Sequence, residues 1–410
     1  MGFILHAHLS CHVIHASDMT AISSRAGFQR LTSLNQFPAH ILRPHGYYGR
    51  RYLAEMPRVA VLYQACEPPI VNGVQKPKKP GGYQDSGADI AYVLKTNKVD
   101  IVTPGPNPDP KEDRGWCFPD TEAGILSAIE QGANVLWANT ILFASHPLQT
   151  SSALDKYASK VKVVGQPPQL VEQYDDKNFV NNLLRSKGTF TLPRSWTVDW
   201  TLSLDLNSLP YPIVGKPIRG RGSHGVKVCK DKSDLRAHLS SLFEESQVVM
   251  LEEFLSGQEG TITVMPPTNG NPRHWAMPIV VRFNHEDDIA PYNGIVAVTS
   301  NSRVPPLEEL DQNPHYDEIS RECERIANLL RVTAPIRVDV RCFTPGKGSK
   351  FAVFDVNMKP NMTGPGRPGR GNQASLTAMA AASLGWDYPT LLIKMLSSAR
   401  TLEFLRSVSL

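Results

Sequence analysis

Several things are missing from this 410-residue sequence, and each absence narrows what the chain can be. Its six cysteines (Cys11, Cys66, Cys117, Cys229, Cys323, Cys342) are scattered and never form a CxxC pair. That argues against a disulfide scaffold or a zinc ribbon and fits a reducing compartment. No apolar run approaches the roughly 20 residues that span a bilayer, so no membrane partner is expected. A GxxxxGK[ST] phosphate loop is absent, which excludes an ordinary P-loop NTPase. No excess of charge exists either: 43 Lys+Arg stand against 39 Asp+Glu, a formal +4. A dedicated nucleic-acid binder carries far more, so no nucleic-acid partner is expected. There are no internal repeats and no long low-complexity segments. What remains is an ordinary globular composition, 41% hydrophobic and 20% charged, long enough for two or three domains.

The charge is unevenly spread. Residues 1–56 hold five arginines (Arg25, Arg30, Arg43, Arg50, Arg51) but only two acids (Asp18, Glu55), and six of the twelve histidines. Basic, serine-bearing and acid-poor N-termini mark organellar transit peptides. The competing reading is a dispensable disordered extension, or sequence upstream of the true start. Met56 stands directly before the first strand pattern, Arg58–Tyr63, and favours that reading. The expected location is cytoplasmic, or mitochondrial if residues 1–56 are a transit peptide.

From Arg58 the chain alternates short apolar runs with helical patterns, the rhythm of an α/β fold. Strands are expected at 58–63, 99–103, 134–137 and 162–164, and helices at 87–98 and 120–131, the latter capped by Asp120. They make a parallel-sheet N-terminal domain, residues 57–172. Asp175-Asp176 opens a helix to 187. Strands at 213–216, 226–229, 248–252 and 261–265, with a helix at 233–243, form a small α+β domain, residues 173–266. The C-terminal domain, residues 267–410, has strands at 275–281, 295–299, 334–343 and 350–357. It also has an amphipathic helix at 314–330 with Ile319, Cys323, Ile326 and Leu330 on one stripe. A Gly/Pro/Arg-rich loop, 364–371, leads into two final helices.

Three stretches carry chemistry. Around Lys216-Pro217 a strand ends and Gly220, Gly222 and Gly225 follow before the next begins. Glycines let backbone N–H groups approach phosphate oxygens without obstruction by Cβ. Lys216 adds a fixed positive charge and Ser223 a hydroxyl donor. The same spacing also suits a plain flexible hairpin. In the second stretch, Glu252-Glu253-Phe254-Leu255 and then Glu259 offer an apolar linker suited to a purine and a carboxylate suited to ribose hydroxyls. The alternative is a two-strand connection with solvent-facing acids. In the third, alternation puts Arg337, Asp339 and Arg341 on one strand face, and Asp355 and Asn357 on one face of the next. Two carboxylates and an amide oxygen make the hard site Mg²⁺ prefers, and a structural ion-pair cluster is the alternative.

Taken in order, these stretches resemble the ATP-grasp superfamily, most closely its D-alanine–D-alanine ligase-like branch. The matching pieces are Asp176-Lys177, Val214-Gly215-Lys216-Pro217 with its glycine loop, Glu252–Glu259, Arg337–Asp339 and Asp355–Thr363. The resemblance implies an ATP-grasp fold, mixed α/β and α+β, of three domains with the nucleotide held between the central and C-terminal ones. It implies that Lys177 and Lys216 grip ATP phosphates while Arg219, Gly222, Ser223 and Gly225 fold over them. Glu252, Glu253, Phe254 and Leu255 would meet adenine, and Glu259 the ribose. Asp339, Asp355 and Asn357 would hold two Mg²⁺ ions, or Mn²⁺, and Arg337, with Ser223, would stabilise the transferring group. The implied reaction activates a carboxylate as an acyl phosphate and couples it to an amine, with small molecules as partners and often a homodimer as the assembly. An ATP-grasp enzyme with a non-amine acceptor, or a catalytically silent nucleotide binder, is the alternative.

The departures from that branch fall on the substrate side. Asp355 stands where dipeptide ligases usually carry glutamate. The glycine-rich GGxSxE turn after the first strand is replaced by residues 63–69, whose Glu67 is the candidate for a substrate amine. No lysine occurs between Lys232 and Lys347, so the expected mobile-loop tyrosine–lysine pair is missing, with Arg282, His285 or Tyr292 as substitutes. Asn361 replaces the glycine of PGMT. Arg367 and Arg370 follow, either binding a substrate carboxylate or lying in a solvated loop. The substrates are therefore expected to differ from two D-alanines.

Overall fold

The computed structural model describes residues 56–409 apart from 72–73, 76–77, 202–203, 221, 291–297 and 347. The N-terminal extension up to residue 55, Tyr292 and most of the strand expected at 295–299 lie outside the described residues; Val298–Ser300 forms a 3₁₀ turn.

β1 (Arg58–Tyr63) buries Val59, Ala60, Val61 and Leu62 in succession, the mark of a strand covered on both faces. A short hairpin, β2 (Ile70–Val71) and β3 (Val74–Gln75), precedes α1 (Gln84–Thr96), β4 (Asp100–Ile101), β5 (Phe118–Pro119), α2 (Glu122–Glu130), β6 (Val135–Asn139), α3 (Pro147–Thr150), β7 (Lys162–Val164) and α4 (Pro168–Tyr174). Strands β7, β6, β1 and β4 lie side by side and parallel. Helix α1 starts three residues before the expected Gly87, with Asp85 in its first turn, where the helix dipole favours a carboxylate. β4 is shorter than the expected 99–103.

Asp120 is not the cap of α2. Thr121 fills that role, its hydroxyl accepting from Gly124 N at 3.2 Å. Asp120 is instead fully buried. Its carboxylate accepts from the backbone N–H of Ala65 and Cys66, both at 2.8 Å, and from Thr140 Oγ1 at 2.6 Å, and lies 3.2 Å from His146 Nε2. A capping role would have exposed it. The buried role ties down the loop after β1.

The second body of strands follows α5 (Lys177–Ser186), which Asp176 caps through Phe179 N at 2.9 Å. It comprises β8 (Ser195–Asp199), β9 (Ile213–Pro217), β10 (Lys227–Cys229) and β11 (Val248–Glu253), with α6 (Lys232–Glu245) packed on them. The order is β10-β9-β11-β8, antiparallel throughout. β8, an edge strand, was not expected from the sequence.

β12 (Glu259–Met265) belongs to the third sheet rather than to the central domain. The turn hands it over: Ser256 N and Gly257 N donate to the carbonyls of Phe343 and Cys342. The expected single strand at 275–281 is two, β13 (Trp275–Ala276) and β14 (Val280–Arg282), because Pro278 between them has no N–H for a ladder. After β15 (Ser302–Arg303), α7 (Leu307–Asp311) and α8 (His315–Leu329) come β16 (Ile336–Cys342) and β17 (Phe351–Asn357). The sheet order is β15-β14-β12-β16-β17. Helices α9 (Leu376–Ser383) and α10 (Tyr388–Leu396) are followed by two unexpected elements, β18 (Arg400–Thr401) and α11 (Leu402–Ser407). β18 pairs with β7, so the end of the chain closes the first sheet. Residues 55–410 form one compact body.

Candidate functional site

A cavity of about 700 Å³ is lined by residues of the second and third sheets and by loop residues that follow β1 and β6, among them Lys177, Lys216, Ser223, Phe254, Arg337, Asp339, Asp355 and Asn357. Its floor is the β16–β17 ladder. Arg337 pairs with Asn357 and Asp339 with Asp355, and then the register slips, Val340 pairing with Val353. The skipped residue, Phe354, is a β-bulge, and such an insertion re-aims the backbone. The Phe354 carbonyl accepts from Lys216 Nζ at 3.0 Å.

The two carboxylates of the floor are held by cations and amides. Asp339, buried, accepts from Thr261 Oγ1 at 2.7 Å, from Arg337 Nε and Nη2 at 3.0 Å each, and from Asn357 Nδ2 at 3.0 Å. Asp355 Oδ1 lies 2.6 Å from Lys177 Nζ, and its Oδ2 lies 3.4 Å from Asn357 Nδ2. Burial opposes ionisation of Asp355, but the charges of Lys177 and Lys216, the Lys177 hydrogen bond and Arg337 hold its carboxyl below the ordinary aspartate value. Burial likewise opposes charge on Lys177, but the charge and hydrogen bond of Asp355, with Asp175 and Asp339, raise it.

Among the described residues no group of three or more His, Cys, Asp and Glu is placed to hold a metal ion. Two carboxylates and an amide nonetheless fit Mg²⁺, which normally takes one or two carboxylates and completes its octahedron with water and phosphate oxygens. Rotation of the Asn357 amide would turn its oxygen toward the same point as the carboxylates.

Lys216 sits on β9 and Glu252 on the neighbouring β11, in diagonal register. Their charged groups meet at 2.5 Å, both buried, and Asn181 Nδ2 donates to the other Glu252 oxygen at 2.8 Å. The Glu252 side chain therefore fixes the lysine and leaves only its backbone to face a ligand. Glu253 turns to Arg194 at the edge, 3.1 Å away. Phe254 carries the Arg341 guanidinium over its ring, 5.0 Å from the centroid. Glu259, buried, lies 2.9 Å from His285 Nε2 and 3.5 Å from Arg341 Nη1.

Between β9 and β10 the glycine loop presents Gly220, Gly222 and Ser223 to the cavity. Gly222, Ser223 and Gly225 have positive φ (62°, 61° and 68°). A Cβ on Gly225 would stand 3.0 Å from Leu242 Cδ2 and 3.2 Å from Pro217 Cδ, so the hairpin needs glycine both for its conformation and for its room.

Other sequence-predicted residues are placed elsewhere. Arg219 is absorbed by the acids at the helix junction, donating to the Glu172 carbonyl at 3.1 Å and lying 3.6 Å from Asp175. Glu67 pairs with Lys78 at 2.6 Å. Arg282 is buried on β14, opposite Glu259 in register. Asn361 does line the cavity, its amide oxygen accepting from Thr363 Oγ1 at 2.7 Å. Neither Arg367, which is buried, nor Arg370, which is partly exposed, lines the cavity: both grip Asp89 of α1, at 2.9 and 2.7 Å. Gly366 permits this approach, since a Cβ there would fall 2.4 Å from Asp89 Cγ. Lining residues that sequence reasoning passed over are Lys78, Lys79, Tyr83, Phe354 and Lys359. A signal existed for some of them in the lysine- and proline-rich run 76–80.

Residues 194–397 match the family model described as D-ala D-ala ligase C-terminus. A D-alanine–D-alanine ligase A from Bacillus cereus is 27% identical over 227 residues, 53% of this chain and 65% of that protein. A D-alanine–D-alanine ligase from Bacillus anthracis is 28% identical over 224 residues, 53% of this chain and 64% of its own length. These sequence matches thus span slightly under two thirds of the relatives. In fold, the chain is similar to the crystal structure of a Bacillus anthracis D-alanine–D-alanine ligase complexed with ATP, with a TM-score of 0.56 and 19% identity over 86% of this chain and 100% of that one. A D-Ala:D-Ser ligase from Enterococcus faecalis gives 0.53 and 15% over 83% and 98%.

Proposed function

We propose that the chain is a D-alanine–D-alanine ligase-like protein of the ATP-grasp fold and acts as an ATP-dependent carboxylate–amine ligase, a reading supported by the family-model match and the fold likeness. The observation that carries this reading is the cavity floor, where Asp339, Asp355, Asn357, Arg337, Lys177 and Lys216 converge from four separate elements, β16, β17, α5 and β9.

Lys216, fixed by Glu252 and the Phe354 carbonyl, and Lys177, at the first turn of α5, bind the ATP phosphates. The Gly220–Gly225 loop, with the Ser223 hydroxyl, lies over them and keeps water from the reacting centre. Phe254 and Leu255 flank the base, and Glu259 takes the ribose. Asp339, Asp355 and Asn357 would hold Mg²⁺, which would supply charge neutralisation on the phosphoryl oxygens. A substrate carboxylate attacks the γ-phosphorus; ADP leaves and an acyl phosphate forms. The amine then attacks the acyl carbon, loses a proton, and phosphate departs with an amide formed. Arg337, bidentate on Asp339 at rest, donates to the oxyanion of that tetrahedral intermediate.

The test is ADP release from Mg-ATP in the presence of amino-acid pools. Amino-acid-stimulated release accompanied by an amide product is expected. Tight ATP binding without any amino-acid response would sink the ligase reading. The changed substrate side, with Glu67 engaged by Lys78 and Asn361 at the cavity wall, supports an acid or amine other than D-alanine.

A further inference from the structure

The strand order of the first sheet reverses at β1, with β4 and β5 on one side of it and β6 on the other. In open α/β sheets such a switch point leaves a crevice beyond the carboxyl ends of the strands, where ligands bind. Gln64 follows β1 and Ile141 follows β6, and both line the cavity. Gln64 is only 3% exposed, yet its amide oxygen has no hydrogen-bond partner among the described residues. An unmet buried acceptor is costly, and nearly all such atoms in folded proteins are paired. The backbone that carries it is pinned. Gln64 N donates to the Gly82 carbonyl at 2.8 Å, and Ala65 N and Cys66 N each donate to Asp120 at 2.8 Å. Lys78 Nζ donates to the Ala65 carbonyl at 3.0 Å. The two carboxylates that touch this loop are already engaged, Glu67 by Lys78, and Asp120 by those backbone donors, Thr140 and His146.

We propose that Gln64 is a specificity-determining residue at this end of the cavity, and that one substrate carries an uncharged amide group that pairs with it. A carboxamide holds an acceptor and a donor side by side, and another amide meets both at once. The substrate N–H donates to Gln64 Oε1 while the substrate carbonyl accepts from Nε2. An ammonium group is best met by a carboxylate, and the loop's two are engaged. A hydroxyl has a single oxygen for both contacts and meets only one end in good geometry. The amide comes either from a side chain, as in glutamine, or from a peptide bond, as in a dipeptide. This inference rests on the ligase reading, since it names a substrate class for that site. Asp120 and His146 are positioning residues, acting through the backbone of Ala65 and Cys66.

The experiment titrates glutamine, alanyl-alanine, glutamate and methionine, each in both enantiomeric forms, into the full chain saturated with a non-hydrolysable ATP analogue and Mg²⁺. Isothermal titration reads binding, ADP release from Mg-ATP reads turnover, and melting curves read stability. At least one amide ligand is expected to bind about tenfold or more tighter than methionine, which matches glutamine in length but lacks the amide. Gln64→Met should abolish that preference and leave the affinity for the analogue unchanged. Its ligand-free melting temperature should hold or rise, because the substitution removes an unmet buried acceptor. The glutamine and alanyl-alanine arms separate a side-chain amide from a peptide bond. Methionine or glutamate bound as tightly as either amide, a preference that survives Gln64→Met, a fall in the ligand-free melting temperature of that variant, or no binding of any of the four would overturn the proposal. Amide-dependent binding that is lost in Gln64→Met but brings no ADP release would instead sink the ligase reading and leave the role of Gln64 standing.

Discussion

Asp339 is a residue whose chemistry and packing can be separated. Its carboxylate takes Thr261, Arg337 and Asn357 at once. Asp339→Asn keeps the shape and removes the charge that Mg²⁺ and Arg337 need. ADP formation should fall by roughly 10²-fold or more, while the thermal unfolding curve stays close to wild type; normal turnover in this variant would show the metal assignment to be wrong. Asp120 allows a different test, on stability. Burial opposes its charge, but hydrogen bonding and charge from His146, then Thr140 and the Cys66 N–H, hold its carboxyl below the ordinary 3.8. A depressed carboxylate contributes stability that is complete above its unfolded value and is lost as pH falls through the lower folded value. Melting temperatures of wild type and Asp120→Asn should therefore differ most above the ordinary aspartate value and converge as pH falls through the lower folded one. A gap that stays constant with pH would contradict this. The alternation of Arg337, Asp339 and Arg341 was legible because a strand buries every second residue. The role of Asp120 was not, because a capping aspartate and a buried one look alike before the loop that folds onto it is known.

Among elements, the glycine hairpin is the most demanding. Gly225 has φ of 68° and Leu242 and Pro217 close by, and a left-handed alanine costs about 1–2 kcal/mol. Gly225→Ala should raise the KM for Mg-ATP several-fold in steady-state assays with a small change in melting temperature; an unchanged KM would show that the hairpin does not cover the phosphates. The helices α5 and α8 were legible from their cap and their stripe, and β1, β9 and β11 from their apolar runs. Three features were hidden because they depend on partners far away in sequence. β12 joins β16 rather than the central sheet, β18 crosses back to β7, and the Phe354 bulge shifts a register that strict alternation would have kept. The bulge matters most to the site, since it turns a backbone carbonyl to Lys216.

On the scale of the whole molecule, the loop at 364–371 is a brace between the end of the third sheet and helix α1 beside the first sheet. Asp89, fully buried, takes Arg367 and Arg370 on its two oxygens. Removing one partner of a buried pair leaves the other charge uncompensated, at about 3–5 kcal/mol. Asp89→Ala should lower the unfolding free energy from urea titration by that measure, and the Arg367→Met, Arg370→Met variant of an Asp89→Ala chain should recover part of it; a urea midpoint unmoved by Asp89→Ala would contradict the brace. Sequence reading left those arginines between substrate and solvent because nothing local points to an aspartate 278 residues away.

The central claim is that a carboxylate is phosphorylated by ATP and then captured by an amine. Its most direct test supplies Mg-ATP and an amino-acid pool whose carboxyl groups carry heavy oxygen, and follows the label by mass spectrometry. The account predicts one labelled oxygen in the released phosphate for every amide formed, because the bridging oxygen of the acyl phosphate comes from the substrate. Phosphate free of label, or ADP formed with no amide, would contradict it.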